Sequence, residues 1–471
     1  MITSSSRSNE QPLPRDINDA SAPLLRRVLL AYGIGDAGTG MASALIGFYL
    51  FLFYTSVAAF PAWLAGTILM LVRLWDVVSD QLIGWLGDRT KSRLGPRIPW
   101  MLICALPLGI LMGLMWWVPP WGEWLRFSWF VLIASLFMAS YSGVNLPYSA
   151  LASELTNSIP LRTRLNSARF TGSILASLIG LVVAALLTHK GADGYVWMGV
   201  LAGIVLLLGS IFSALGLAPA ARHCQCPEPH HESLLKQLKR IRQNERFIRV
   251  VVLYLLVWSA LQLMQPVSLI YLSSVMHLPH IWSTWMLIPF QLAAMVGLWI
   301  WNRVAAFKGR IFALKLGGFL WIALCLVALF LPALDAAQGP LSSPNNVMKT
   351  TLLFLAVLGL GLNASTAYLL PWSLLPDAVD ADSGHPAGLY TAWMIIVQKF
   401  GSALSVFVLG ALLSWSGYVA ALGIDQPSDA RVMIRLCMGL FPALMVLASI
   451  WVMWKWPQMP TNKPFSRAAL S

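Results

Sequence analysis

Charge is what this sequence has least of. Asp, Glu, Lys and Arg together make up 11% of its 471 residues. A water-soluble domain carries about 25%. Acids are scarcer still, 19 against 32 basic residues, so the formal net charge is +13. Cysteine is also sparse. Cys104, Cys325 and Cys437 lie in apolar runs, and Cys224 and Cys226 lie in a polar stretch. That distribution excludes a disulfide framework. The stretch "HCQCPEPHH", His223 to His231, has a metal-binding composition but fits no zinc spacing. No nucleophile elbow, phosphate loop or sizeable polar domain occurs, so no enzyme and no organic cofactor are expected. The first 27 residues are polar, without a short apolar core and cleavage site, so the first apolar run is expected to remain in the chain.

Apolar residues fill the space that charge leaves. They are 58% of the chain, and mean hydropathy is +0.70. One aqueous core cannot bury so many, which makes this an all-α membrane protein. A spanning helix needs about 20 apolar residues. Twelve runs qualify: 28–54, 62–87, 99–118, 127–151, 167–188, 195–218, 248–275, 281–302, 311–334, 350–376, 388–414 and 433–454.

The basic residues fall between these runs, on alternate sides. The N-terminal tail, 88–98, 152–166, 219–247, 303–310, 377–387 and the C-terminal tail hold 22 Lys and Arg. The opposite gaps hold four: Arg126, Lys190, Lys349 and Arg431. Positive charge is retained on the cytoplasmic side. Both termini are therefore expected in the cytoplasm, with the chain in a plasma membrane, the bacterial inner membrane in particular. Scattered loop charge of this kind also argues against nucleic acid as a partner.

The long gap at 219–247 divides the chain into an N-terminal bundle, 28–218, and a C-terminal bundle, 248–454, with tails at 1–27 and 455–471. Ser233 to Arg246 reads as a basic amphipathic helix against the anionic leaflet. The halves echo one another. "NLPYSALASEL" from Asn145 matches "LLPWSLLPDAV" from Leu369, and "GWLGDRTKSRLGPRI" from Gly84 matches "GLWIWNRVAAFKGRI" from Gly297. Two repeats in the same order imply a duplicated six-helix unit, a construction common in transporters.

Several charges lie inside the runs. In "RLWDVVSD", Asp76 and Asp80 are one helical turn apart and share a face, with Arg73 on the same stripe. An ionisable group costs roughly 3 kcal/mol or more at the bilayer centre, so such groups face the bundle interior. Two carboxylates there can ligate a small cation or share a proton. An ion pair of Arg73 with Asp76 that merely fixes packing is the competing reading, but it leaves one carboxylate unmatched. Lys399, deep within its run, is a candidate to balance it. Arg169 is its first-half counterpart or a snorkelling side chain. Asp36 lies in the glycine-rich "AYGIGDAGTGM", beside a cavity or at a packing kink. Asn145 can meet a polar solute or the backbone freed by Pro147, and Ser142 lies on the same face. Among 22 tryptophans, Trp116, Trp117, Trp121 and Trp124 read as an interfacial belt. Tyr148, Tyr368, Trp372 and Trp393 flank the repeated motif and are the aromatic site candidates.

"RLWDVVSDQLIGWLGDRTKSRLGPRIPW" closely resembles the second-helix signature of the glycoside–pentoside–hexuronide cation symporters of the major facilitator superfamily. "LPWSLLPDAVDAD" and "GLYTAWMIIVQKFGSAL" resemble that family's tenth and eleventh helices. The resemblance runs from Tyr32 to about Gly417. It implies twelve helices in two pseudo-symmetric six-helix bundles. It further implies a monomeric carrier coupling Na+ or H+, with Li+ also possible, to a small polar solute by alternating access. It assigns Asp76, Asp80 and Ser142 to the cation, with Lys399 as a neighbour, and Arg169 and Tyr368 to the solute; Arg73, a neighbour by its place on the stripe, is left as a brace for Asp76 or part of the gate. "DRTKSRLGPR" resembles the superfamily's gating loop, implicating Gly84, Asp88, Arg89, Arg93 and Gly95. Two sugar-binding aspartates of the melibiose carrier, that family's best-known member, fall on Gly40, one turn after Asp36, and on Asn145. The change moves the expectation from α-galactosides toward other sugars, uronides or a lysophospholipid-like amphiphile.

Overall fold

A computed structural model describes residues 22–156, 158–222, 234–380, 382 and 387–454. The Cys/His stretch 223–231, most of the N-terminal tail and the C-terminal tail lie outside these residues.

In lipid every backbone N–H and C=O must be paired within the segment, so apolar runs of this length become helices. Eleven described segments are long and apolar enough to cross a membrane. In chain order they are α1 (Leu24–Ser56), α2 (Ala62–Arg89), α4 (Glu123–Ala152), α5 (Pro160–Lys190), α6 (Ala192–Ala221), α7 (Glu245–Val275), α8 (His280–Lys308), α9 (Arg310–Phe330), α10 (Pro344–Val379), α11 (Gly388–Trp415) and α12 (Ser428–Val452). The twelfth, α3 (Ile98–Leu114), has 17 residues and is shorter than its apolar run. Beyond it the chain turns inward, and this corrects the belt reading of one tryptophan. Trp116 is fully buried, stacked on Tyr195 with ring centres 5.9 Å apart, while Trp117, Trp121 and Trp124 stay exposed.

Helices α1 to α6 pack mainly among themselves, as do α7 to α12, except that α2 and α11 make their most extensive contact with each other. Small residues permit the closest approaches, as expected where apolar lipid offers no hydrophobic drive. A side chain at Gly172 of α5 would collide with the Gly33 carbonyl of α1, and one at Gly361 of α10 with the Phe290 carbonyl of α8.

The structure adds a third repeat to the two visible in the sequence. α1 passes through a π-helical turn at Ile46–Leu50, and α7 through one at Tyr271–Val275. Each segment then ends in a residue of positive φ, Ala59 at 56° and His277 at 58°. In each, the next residue's N–H reaches back to a carbonyl six residues earlier, Phe60 to Tyr54 and Leu278 to Leu272. Two unrelated turns would not share this geometry, so it reports duplication.

Contacts between the halves gather at α1–α7, α2–α11 and α5–α8, toward the face opposite the termini. There Gly66 and Gly410 bring α2 and α11 into backbone contact, and the Trp63 N–H donates to Ser414 Oγ at 2.8 Å. On the terminal face, strong ion pairs instead close within one half, as at Arg97–Glu154 and Arg310–Asp377. The halves close against one another on the face opposite the termini, while the terminal face is braced within each half.

This closure is testable. A Trp63→Cys/Ser414→Cys pair in a cysteine-depleted background is expected to cross-link on oxidation, with reductant reversing it. Failure of folded protein to cross-link would contradict the closure.

Candidate functional site

Helix α2 carries Arg73, Asp76 and Asp80 along one stripe, and Asp76 is only 4% exposed. The balancing charge comes from the other half. Lys399 Nζ of α11 lies 2.9 Å from Asp76 Oδ2 and 2.5 Å from Asp80 Oδ2. Ser142 of α4 donates to Asp80 Oδ1 at 2.5 Å. Its neighbour Gly143 makes this possible, because a Cβ there would strike Cys104 of α3. Arg73 stands at 4.0 Å from Asp76 Oδ2 and is about a third exposed, so it is a loose partner. The ammonium marks the point on which carboxylate oxygens of Asp76 and Asp80 converge, with the Ser142 hydroxyl on the other oxygen of Asp80. Oxygens of this type suit a hard monovalent cation.

A second polar group lies in the N-terminal half. Arg169 of α5 points into the bundle, its Nε donating to Asp36 Oδ2 at 3.1 Å. Its Nη2 reaches Asn145 Oδ1 at 3.5 Å. Thr39 donates to Asp36 Oδ1 at 2.6 Å. The snorkelling alternative for Arg169 therefore does not describe this structure. Gly40 faces Ser173 so closely that any side chain would strike the α5 backbone. A carboxylate at that position would separate α1 from α5, and the acid sits one turn earlier, at Asp36. Tyr148 is buried rather than cavity-facing. Its ring stacks on Tyr32 at 4.6 Å, and each hydroxyl donates to the other's backbone carbonyl. Arg169 lies over this ring at 5.2 Å, so Tyr148 supports the arginine from behind.

The C-terminal half contributes aromatics. Tyr368 of α10 is 45% exposed and meets Trp258 of α7 edge-on at 5.3 Å. Trp372 donates to the Tyr254 hydroxyl at 3.3 Å, and Trp258 donates to Ser402 Oγ at 2.8 Å. Trp393 is half-buried on α11, against the core. Sequence reasoning missed Tyr254 and Trp258. Their signal was the spacing: Tyr254–Trp258 and Tyr368–Trp372 are both aromatic pairs one turn apart.

The loop after α2 is organised by a residue that its motif understated. Arg97, 8% exposed, donates through Nη1 to Asp88 at 2.9 Å. Its Nε and Nη2 donate to Glu154 Oε1 at 2.9 and 2.7 Å. Arg310 is its counterpart in the repeat and binds both oxygens of Asp377, at 3.0 and 2.8 Å. Arg89 stacks on Trp85 at 3.8 Å, Arg93 is exposed, and Gly84 faces open space. Gly95 adopts φ of 86° against the Ala221 carbonyl, a conformation and clearance that only glycine satisfies.

Arg97→Ala is expected to destabilise the fold by roughly 3–5 kcal/mol, because it leaves the Glu154 carboxylate buried and unpaired. Arg97→Lys should recover little, since a single ammonium cannot span both acids. Thermal unfolding in nanodiscs reads both; an Arg97→Lys protein as stable as the parent contradicts the bridging role.

Comparison with known proteins agrees with this architecture. The family model described as MFS/sugar transport protein matches residues 31–458. An uncharacterized symporter of Synechocystis is 30% identical, covering 89% of this chain and 92% of its own. The sodium-dependent lysophosphatidylcholine symporter 1 of Gallus gallus is 20% identical over 89% of this chain and 84% of its own. Among solved structures, a mutant of the nucleoside transporter NupG superposes with TM-score 0.68 at 14% identity, covering 91% of this chain and 99% of that one. The xylose transporter XylE of Escherichia coli, in a partially occluded inward open conformation, gives 0.62 at 13% identity, covering 94% and 100%.

Proposed function

This chain belongs to the MFS/sugar transport protein family, and from that premise we propose that it is a cation-coupled symporter of a small polar solute, sugar-like in its chemistry. It sits in a plasma membrane with its termini in the cytoplasm and works as a monomer. The observation that carries the reading is Lys399, an ammonium from one half held between two carboxylates of the other.

Na+ or H+ is the coupling ion. Either competes with Lys399 for the same oxygens. A cation on Asp76, Asp80 and Ser142 frees the ammonium and loosens α2 from α11, where the two halves meet. The solute lies between Arg169, Asp36 and Asn145 on one side and Tyr368, Trp258 and Trp372 on the other. Charged and amide groups suit hydroxyls or a carboxylate, and aromatic faces suit the apolar face of a sugar ring. Cation and solute must then raise each other's affinity by the same factor. The gating residues Asp88, Arg89 and Arg93, with Gly84 and Gly95, act on the cytoplasmic side when the carrier turns outward. A lysophospholipid-like amphiphile is the second reading, favoured by the avian relative and by an apolar cavity in the C-terminal half.

Asp76→Cys and Asp80→Cys are each expected to abolish cation-driven accumulation in proteoliposomes while leaving solute exchange measurable. Accumulation surviving in the double variant would sink the assignment. Lys399→Gln is expected to lose roughly 3–5 kcal/mol of stability in choline medium, since two buried carboxylates lose their partner. Sodium should restore much of that loss and stabilise the variant more than the parent. Equal sodium shifts in both proteins would remove Lys399 from the competition.

A further inference from the structure

Helices α8 and α9 carry positive charge that the transport site does not use. No Asp or Glu occurs in the sequence between Glu245 and Asp335. Asp377 reaches the turn between these helices from α10, and Arg310 already binds both of its oxygens. Among the described residues, Lys308 and Lys315 form no ion pair. A single residue, Gly309 at φ of 91°, joins α8 to α9. The turn is so tight that Lys308 folds back over the start of α9, its Nζ 5.3 Å from the Phe312 ring centre. Lys315 follows Phe312 by three residues and so stands on the same face. Its Nζ lies 4.4 Å from the ring centre of Trp454, just beyond the end of α12. Ring faces attract and place an ammonium, but they carry no net charge. Two positive charges therefore flank one aromatic ring without an acid to answer them.

Their setting selects the anion. α9 runs inward from the terminal face, and Lys315 is five residues past Arg310, about 7.5 Å deeper at a rise of 1.5 Å per residue. Phe312, Leu316 and Phe319 continue down the helix at i, i+4 and i+7, and all three are exposed. A soluble phosphate has no use for such an apolar row, whereas an acyl chain does. A basic pocket between membrane helices at this level suits a phospholipid headgroup.

We propose that Lys308 and Lys315 hold the phosphate of one anionic diacyl phospholipid from the leaflet on the terminal face, with an acyl chain along Phe312, Leu316 and Phe319. Phosphatidylglycerol has the required chemistry, a phosphodiester that no headgroup cation neutralises. Bound there, it joins α9 to α12 through Trp454, beside the Arg310–Asp377 brace of the C-terminal half. The site is separate from the cation and solute groups, so the inference does not rest on the symport reading.

Native mass spectrometry of the full-length protein in detergent counts bound lipids and gives their affinities. The probes are dioleoyl phosphatidylglycerol, dioleoyl phosphatidylcholine and glycerol 3-phosphate. The first phosphatidylglycerol is expected to bind roughly 25-fold tighter than phosphatidylcholine, and Lys308→Gln and Lys315→Gln should each weaken it roughly five-fold. Lys308→Arg and Lys315→Arg keep the charge and should keep the affinity. Arg26→Gln removes an exposed positive charge from the start of α1, on the same face, and should change little. Lys308 is exposed, so its replacement leaves the fold intact, and the thermal midpoint checks this for every variant. Equal affinity for the two lipids, or glutamine variants that bind like the parent, overturns the proposal. So does a loss in Arg26→Gln as large as theirs, which assigns binding to overall charge. Glycerol 3-phosphate binding as tightly as the lipid makes this a site for a soluble anion and overturns the lipid assignment.

Discussion

Two carboxylates on one half of the molecule share one ammonium from the other half. Everything else in the architecture makes that arrangement possible or makes use of it. A lone charge near the middle of a bilayer is costly, and two like charges one turn apart are worse. Asp76 and Asp80 can be housed only where a positive charge is always within reach. Lys399 supplies it across the seam between α2 and α11. The same contact that neutralises the acids also ties the halves together, so any ion displacing Lys399 alters the bond between them. On the proposed reading, binding and movement would become one event for an electrostatic reason.

The scaffold around this contact is symmetric where it is structural and asymmetric where it is chemical. Arg97 with Glu154 and Arg310 with Asp377 are the same brace in two copies, each joining the start of one helix to the end of another. The π-helical turns of α1 and α7 are likewise paired. The polar groups are not duplicated. The N-terminal half contributes Asp36, Asn145 and Arg169, and the C-terminal half contributes Tyr254, Trp258, Tyr368 and Trp372. On the proposed reading, a solute between them would meet charge on one side and aromatic faces on the other, which would orient it as well as hold it.

Much of this was legible in the sequence because a bilayer imposes simple rules. Apolar runs had to be helices, and most observed helices extend their runs, by up to seven residues at the start of α5. An exception is α3, where a short helix and a following inward turn took Trp116 from the interface into the core. Intramembrane charges had to face inward, and they do. Roles that depend on who stands opposite were not legible. Tyr148 looked like a site aromatic beside a repeated motif, yet its hydroxyl is spent on the Tyr32 backbone. Arg97 looked like one more loop cation, yet it holds two acids. Trp258 was one tryptophan among 22 until α10 placed Tyr368 against it.

The sequence by itself determined that this is a twelve-helix membrane chain with a duplicated plan and two acids sharing one helix face. Those properties follow from hydropathy, loop charge and the helical repeat, which are local along the chain. Only the tertiary structure decided that Lys399, a candidate from the sequence, meets both acids, and why Gly40 cannot carry one. Each of these depends on the approach of helices hundreds of residues apart or on clearances of an ångström or two. Spacing within one segment carries no information about either.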